Sequence, residues 1–240
     1  MHVDPPLVSD EQQHYARRYA EIAVLAGGLA HEIKNPLSTI TLNLDLLGED
    51  LADSESPRDR RMLKKIETVR RECGHLEDIL EDFLKFARAG QLHLEVADLN
   101  QVAREFIDFY QPEAAAHGVE LSPHLGGDLP HVRIDTAMFR QVLLNLALNA
   151  QQAMPKGGLL ELQTYVRDGL VHLAFIDTGV GMEEQVRDRM FDAFFSTRRG
   201  GSGLGLPTVK KIIEAHGGRM TVDSEPGRGT QFTISLPHVS

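Results

Sequence analysis

One cysteine, no long apolar run and no excess of positive charge: each shortage removes a class of function. Cys73 stands alone in 240 residues, so neither an intramolecular disulfide framework nor a multi-thiolate metal site can be built. The lone thiol fits a reducing cytoplasm. No segment reaches the run of about 18 apolar residues that a membrane-spanning helix needs. Met1 to Asp10 lack the apolar core of a signal peptide, so a membrane-anchored parent would carry its anchor outside this sequence. The net charge of −10 gives no general attraction to nucleic acid or anionic lipid; a polyanionic ligand must be held by a local arrangement of donors. There is no internal repeat and no low-complexity tract. With 42% hydrophobic and 25% charged residues, the composition is otherwise that of an ordinary globular protein, of a length that suits one or two domains.

The chain has two periodicities. From Leu25 the apolar positions run Leu25, Leu29, Ile33, Leu37, Ile40, Leu44, Leu47 and Leu51, steps of three and four that draw one stripe along a helix. A turn signal at Ser54, Ser56 and Pro57 precedes a second stripe: Met62, Ile66, Val69, Cys73, Leu76, Leu80, Phe83. Together they predict an antiparallel hairpin. Such a hairpin is too thin to be stable alone; pairing two copies into a dimeric four-helix bundle buries both stripes, and packing on another domain is the alternative. After Gly90 the pattern changes. Short β-like runs (Leu92 to Val96, Val119 to Pro123, Leu159 to Val166, Val171 to Asp177, Arg219 to Ser224, Gln231 to Leu236) alternate with helical stretches at Asn100–His117, Asp135–Met154 and Leu206–His216. That alternation predicts an α/β sandwich, helices on one face of a mixed sheet. The expected partition is a linker or connecting helix over residues 1–19, the hairpin over 20–89 and the α/β domain over 90–240.

Several short motifs carry chemistry. In Leu29-Ala30-His31-Glu32-Ile33-Lys34-Asn35-Pro36-Leu37 the apolar stripe bypasses His31, which is therefore expected to face solvent as a partly unprotonated nucleophile. Glu32 can accept from one ring nitrogen and leave the other free. Most exposed helical histidines are merely surface residues, but Pro36 breaks a local rule inside the helix, as functional sites tend to. Asn145 and Asn149, four apart, share a helix face; their carboxamide oxygens suit a hard cation beside phosphate oxygens, or they are a pair of surface asparagines. Asp177-Thr178-Gly179-Val180-Gly181 places a carboxylate at a strand end before two glycines, able to accept from the amino group of a base with close backbone approach, or else a plain β-turn. Gly201-Ser202-Gly203-Leu204-Gly205-Leu206 opens a helix and offers N–H donors and a positive dipole end to phosphates. It is not the Walker pattern, since no Gly-Lys-Ser/Thr follows, and no strand precedes it as a dinucleotide fold requires. Before it, Phe191 to Arg199 puts aromatics in a loop, as in a lid, with Arg198 and Arg199 able to reach phosphates.

The order and spacing of these motifs resemble the histidine kinase family over nearly the whole chain, Ala20 to Pro237. His31 to Leu37 resembles its H box, Asn145 to Asn149 its N box, Asp177 to Gly181 its first glycine box and Phe191 to Arg198 its phenylalanine box. Gly201 to Leu206 is similar to the second glycine box, and Gly227-Arg228-Gly229-Thr230 to a third. The resemblance implies a dimerisation and phosphoacceptor hairpin followed by a Bergerat-type ATP-binding domain, a fold shared with DNA gyrase and heat-shock chaperones, which lack the H box. It implies that His31 takes the γ-phosphoryl group with Glu32 as general base. Asn149 would bind magnesium with Asn145 beside it. Asp177 would recognise the adenine amino group, supported by Gly179, Gly181 and Thr230. Gly201, Gly203, Leu204, Gly205 and Leu206 would line the phosphates under the lid. Glu32-x-x-Asn35 resembles the motif by which such kinases dephosphorylate their partner, Asn35 orienting water. The implied partners are a second copy of the chain, the receiver domain of a response regulator and an upstream sensor; the wording around His31 looks most like the nitrogen-regulator subgroup. The chain departs from the pattern at Ala193, often proline, at Pro207, commonly small or polar, and at Arg198, often lysine.

Overall fold

The computed structural model describes residues 10–52, 56–90, 92–198 and 200–239; the side chains of residues 10–29 and of His31, the connection containing Ser54, and Arg199 lie outside the described residues. The chain divides into two compact units, one made of the N-terminal residues through Arg88 with Arg198–Ser202, the other of Ala89–Thr197 with Gly203–Ser240.

The first unit is the expected hairpin: α1, Asp10–Ala52, against α2, Pro57–Arg88. Helix α2 begins on Pro57, whose missing N–H costs nothing in a first turn. The Ser56 hydroxyl accepts from the Arg58 N–H at 3.2 Å, and Lys85 and Arg88 in the last turn complement the dipole. Helix α1 runs through Pro36, which cannot donate to the Glu32 carbonyl. In the same turn the hydroxyls of Ser38 and Thr39 donate to the carbonyls of Lys34 and Asn35 at 2.9 and 3.1 Å, back-bonding that favours a bend.

Each apolar stripe splits into two seams of seven-residue spacing. Leu37, Leu44 and Leu51 on α1, with Ile66, Cys73 and Leu80 on α2, are buried or half-buried. The intervening Ile33, Ile40 and Leu47, with Met62, Val69 and Leu76, remain 39–52% exposed. The ion pairs Lys34–Glu81 (3.7 Å) and Arg70–Asp45 (3.2 Å) join the helices at exposed positions, where each is worth about 0–1 kcal/mol; burial holds the hairpin. Among the described residues no helix is long and apolar enough to cross a membrane.

The second unit runs β1 (Glu95–Ala97), α3 (Leu99–Ala116), β2 (Val119–Leu125), β3 (Val132–Ile134), α4 (Thr136–Ala153), β4 (Gly158–Arg167), β5 (Leu170–Asp177), α5 (Glu184–Arg189), α6 (Gly205–Ala215), β6 (Arg219–Glu225) and β7 (Gly229–Pro237). Five strands form a sheet ordered β2-β4-β5-β7-β6. The β2–β4 pair is parallel and the rest antiparallel, the mixed sheet the sequence predicts. Asp98 and Asp135 start α3 and α4 by accepting from the N–H groups of Asn100 (2.8 Å) and Met138 (3.0 Å), as aspartate at an N-cap does. The apolar faces of α3 (Val102, Phe106, Tyr110), α4 (Phe139, Val142, Leu143, Leu146) and α6 (Val209, Ile212, Ile213) form one core with Leu160, Leu162, Val171, Leu173, Phe175, Phe232, Ile234 and Leu236 of the sheet. Burying each such side chain stabilises by roughly 1.5–3 kcal/mol.

The structure differs from expectation at short elements. β1 is Glu95–Ala97, later and shorter than Leu92 to Val96, because its pairing with β3 extends only from Glu95↔Ile134 to Ala97↔Val132. β3 and α5 were not foreseen; three and six residues are too few to show a period. β2 continues through Pro123 to Leu125, which an edge strand tolerates.

Candidate functional site

Strand register builds the site. Along the core face of the sheet, Leu162 lies opposite Phe175, and Phe175 opposite Phe232. One step further toward the sheet's end the face turns polar: Asp177 on β5 is opposite Thr230 on β7, and Thr230 is opposite Ser224 on β6. The three are buried at 5%, 6% and 3% exposure. Buried polar groups need partners, and these have them. The Asp177 carboxylate accepts from the Gly179 N–H at 2.9 Å. The Ser224 hydroxyl lies 3.0 Å from the Met182 nitrogen, the Gly229 carbonyl and the Thr230 hydroxyl alike. Burial raises the Asp177 carboxyl above its ordinary pKa, opposed by the N–H groups of Gly179 and Thr230.

The loop after Asp177 is stitched to the end of α4. The Val180 N–H donates to the Ala153 carbonyl at 3.0 Å. A Cβ on Gly179 would stand 2.7 Å from the Ala153 Cβ and 2.8 Å from its carbonyl oxygen, so only glycine brings Asp177 this close to α4. From the other side the Gly227 N–H donates to the Val180 carbonyl at 2.8 Å, which joins the turn between β6 and β7 to the loop holding Gly179 and Gly181.

Asn145 and Asn149 lie half-buried on α4. The Asn145 amide nitrogen donates to the Gln141 carbonyl at 3.1 Å, which turns its oxygen toward Gly205, where a Cβ would meet it at 3.4 Å. A hard, neutral oxygen beside the start of α6 fits a magnesium ion that takes most of its ligands from phosphate and water. Among the described residues no three His, Cys, Asp or Glu side chains form a metal cage. Helix α6 starts after Leu204, a residue whose apolar side chain cannot cap it, and a helix start presents N–H groups and a positive dipole end suited to an anion. Pro207, in its first turn, sits where no intrahelical donor is lost; the Thr208 N–H makes the bond to the Leu204 carbonyl at 2.9 Å.

Gly203 also has a packing role. Its φ is +67°, and a Cβ would meet the Phe194 carbonyl carbon at 2.5 Å, while its carbonyl accepts from the Phe194 N–H at 3.0 Å. It lets the glycine loop lie on the aromatic segment. That segment is further held by Arg189 over the Phe195 ring (4.2 Å) and Lys210 over Phe191 (5.2 Å), contacts of the cation–π kind.

The sheet unit holds Asp177, Gly179, Gly181 and Thr230 at and after the ends of β5 and β7, Asn145 and Asn149 on α4, and Gly203, Leu204, Gly205 and Leu206 at the start of α6, which packs against α4. Arg198 and Gly201 fall in the segment grouped with the hairpin; Arg199 lies outside the described residues. Glu32 and Asn35 are exposed on α1, one turn apart; the His31 side chain lies outside the described residues. Ser224 escaped sequence reasoning, since a lone serine at a strand end carries no signal until register places it beside Thr230.

Residues 23–92 match the family described as the His Kinase A (phospho-acceptor) domain, and residues 134–240 match that described as histidine kinase-, DNA gyrase B- and HSP90-like ATPase. The sensor histidine kinase ZraS of Klebsiella oxytoca is 33% identical over 229 residues, 94% of this chain and 48% of that protein. The signal transduction histidine-protein kinase AtoS of Escherichia coli is 31% identical over 92% of this chain and 36% of its own length. The chain therefore spans about half the length, or less, of the curated relatives it matches. Full-length ShkA, solved in complex with AMPPNP, superposes with a TM-score of 0.70 at 30% identity, covering 90% of this chain and 46% of that one. A mycobacterial sensor histidine kinase, MprB, superposes at 0.54 and 28% identity over 61% of this chain and 98% of that one. A phosphoacceptor-type helical hairpin joined to an ATPase-type sheet domain with its glycine loops in order is the catalytic core of a two-component sensor histidine kinase, and to that family this chain belongs.

Proposed function

We propose that the chain binds ATP with magnesium, phosphorylates its own His31 and passes the phosphoryl group to an aspartate on the receiver domain of a response regulator. The observation that carries this reading is the buried Asp177 carboxylate, positioned at the end of β5 by Gly179 and Thr230. A buried acceptor among backbone donors suits the exocyclic amino group of adenine. The start of α6, with Gly203 and Gly205, takes the phosphates, and Arg198 and Arg199 neutralise them when the lid closes. Asn149, with Asn145, holds the magnesium ion, which supplies charge neutralisation at the phosphates.

The His31 imidazole nitrogen attacks the γ-phosphorus; an N–P bond forms, the bond to the β,γ-bridging oxygen breaks and ADP leaves. Glu32 accepts the proton of the other ring nitrogen and fixes the tautomer. Little covalent chemistry falls to the protein beyond positioning and charge neutralisation. Asn35, exposed one turn from Glu32, orients a water for the reverse duty, hydrolysis of the regulator's aspartyl phosphate. Two copies associate through the exposed seam of Ile33, Ile40, Leu47, Met62, Val69 and Leu76, and a sensor domain or protein upstream supplies the signal.

Incubation with γ-labelled ATP and magnesium tests the proposal. Acid-labile, alkali-stable label on the wild type, absent from His31→Gln and Asn149→Asp, is the expected result. Label that persists in His31→Gln overturns the choice of acceptor; nucleotide binding with no label at all favours a scaffold or a net phosphatase.

A further inference from the structure

Resting on the reading of Asp177 as the base-recognising carboxylate, we infer that Ser224 is a specificity-determining positioning residue, which turns the Thr230 hydroxyl into a pure acceptor so that Asp177 and Thr230 together select a 6-amino purine over a 6-keto one. Ser224 is 3% exposed and sits in the same cross-strand rank as Thr230 and Asp177. A serine hydroxyl has one proton and two lone pairs, and Ser224 meets three groups. The Met182 N–H, at 3.0 Å, can only donate, and the Gly229 carbonyl, also at 3.0 Å, can only accept. Ser224 therefore accepts from Met182 and gives its proton to Gly229. The third contact, 3.0 Å to the Thr230 hydroxyl, is left as one in which Thr230 donates.

With its proton committed to Ser224, the Thr230 oxygen keeps only lone pairs for anything else. Thr230 stands opposite Asp177, whose carboxylate is likewise an acceptor. Two neighbouring acceptors are satisfied by the two N–H bonds of an amino group, directly or through a water, and repel a carbonyl oxygen. A site built on buried acceptors rejects a ligand that leaves them unpaired more strongly than one that merely lacks a methylene. Ser224 touches no part of the nucleotide in this scheme; it acts through Thr230 and through Met182 in the loop that follows Asp177. The bonds to Gly229 and Thr230 tie β6 to β7, and the one from Met182 ties β6 to that loop, so the residue that sets hydroxyl direction also sets its distance.

The test is competition binding to the full chain in magnesium buffer, comparing ATP with inosine triphosphate, which differs in carrying a 6-keto group. In Ser224→Ala the Thr230 proton is freed. ATP affinity should fall about tenfold while inosine triphosphate binds as before or better, so the preference for ATP collapses by about tenfold. Ser224→Cys, which keeps the volume but is a poor acceptor, should behave like alanine, and Ser224→Thr should restore the preference. Should alanine fail to fold, the cysteine and threonine variants carry the comparison. Equal loss of both nucleotides, or an unchanged ratio, overturns the inference, since a purely structural serine would produce one or the other. Asp177→Asn separates the two levels. If it leaves the ratio intact, the reading of Asp177 falls; if it collapses the ratio and Ser224→Ala does not, only the role of Ser224 falls.

Discussion

The Ala153 carbonyl accepts a hydrogen bond from the Val180 N–H at 3.0 Å, which joins the last turn of α4 to the loop after Asp177. Asn149 is one helical turn before Ala153, which connects the proposed magnesium-binding and base-recognising groups through one helix end. Adding a methyl at Gly179 wedges that connection open, because the new Cβ meets Ala153 at 2.7 Å. Gly179→Ala is expected to weaken nucleotide binding at least tenfold and to lower stability by about 1–3 kcal/mol. Isothermal titration with ATP and a thermal melt check both; wild-type affinity would mean the connection is soft.

A second prediction concerns His216, buried at 5% exposure. Its Nδ1 lies 2.7 Å from the Ile212 carbonyl, and its Nε2 2.9 Å from the Asp135 nitrogen. A carbonyl accepts and an N–H donates, so the ring is neutral, with its proton on Nδ1. Burial lowers its pKa below the ordinary 6.5, against the pull of the Ile212 carbonyl and of Asp135. The folded state thus binds this proton less readily than the unfolded chain. The stability the group contributes is fully present above pH 6.5 and is lost as pH falls below it, toward the depressed folded value. Wild type should lose melting temperature between pH 7 and 5 more steeply than His216→Gln. Parallel slopes would show that His216 does not carry the acid sensitivity.

Tyr110 on α3 donates its hydroxyl proton to Gln151 on α4, and its ring stacks on Phe106 with centroids 5.5 Å apart. Burial, then Glu113, pushes its pKa up to about 12, so it stays a donor throughout any physiological range. Tyr110→Phe keeps the stack and loses the bond, which should cost about 0.5–1.5 kcal/mol in urea titration, with ATP binding little changed. A loss several times larger would show that the bond also orders α4.

The exposed seam predicts the oligomeric state. Ile40→Asp with Val69→Asp places charges on helix faces where Ile40 and Val69 are 45% and 46% exposed in one chain, so neither disturbs the hairpin's own buried seam. Light scattering should report a dimer for wild type and a folded monomer for the pair. A dimeric variant would move the interface elsewhere.

Much of this was legible in advance because local chemistry writes it. The stripes from Leu25 and from Met62 announce α1 and α2, the alternation at Leu159 to Val166 and Val171 to Asp177 announces β4 and β5, and Gly179 marks a place of close backbone approach. Other features have no local imprint. Which of Leu37 and Ile40 lies inside the hairpin, and which is left outside, depends on how α2 is rotated against α1, and both residues fit the same stripe. β1 and β3 exist only because they pair with each other. The contact between Gly203 and the Phe194 backbone is another such feature.

The amino-acid sequence by itself determined the two-part architecture and the chemical inventory: a histidine beside a glutamate, paired asparagines, a carboxylate before glycines. Those follow from helical and strand periods a few residues long and from side-chain chemistry that travels with the residue. Only the tertiary structure decided that Asp177, Thr230 and Ser224 form one buried rank, because strand register is a long-range quantity, fixed by how whole faces of β5, β7 and β6 bury their apolar residues together.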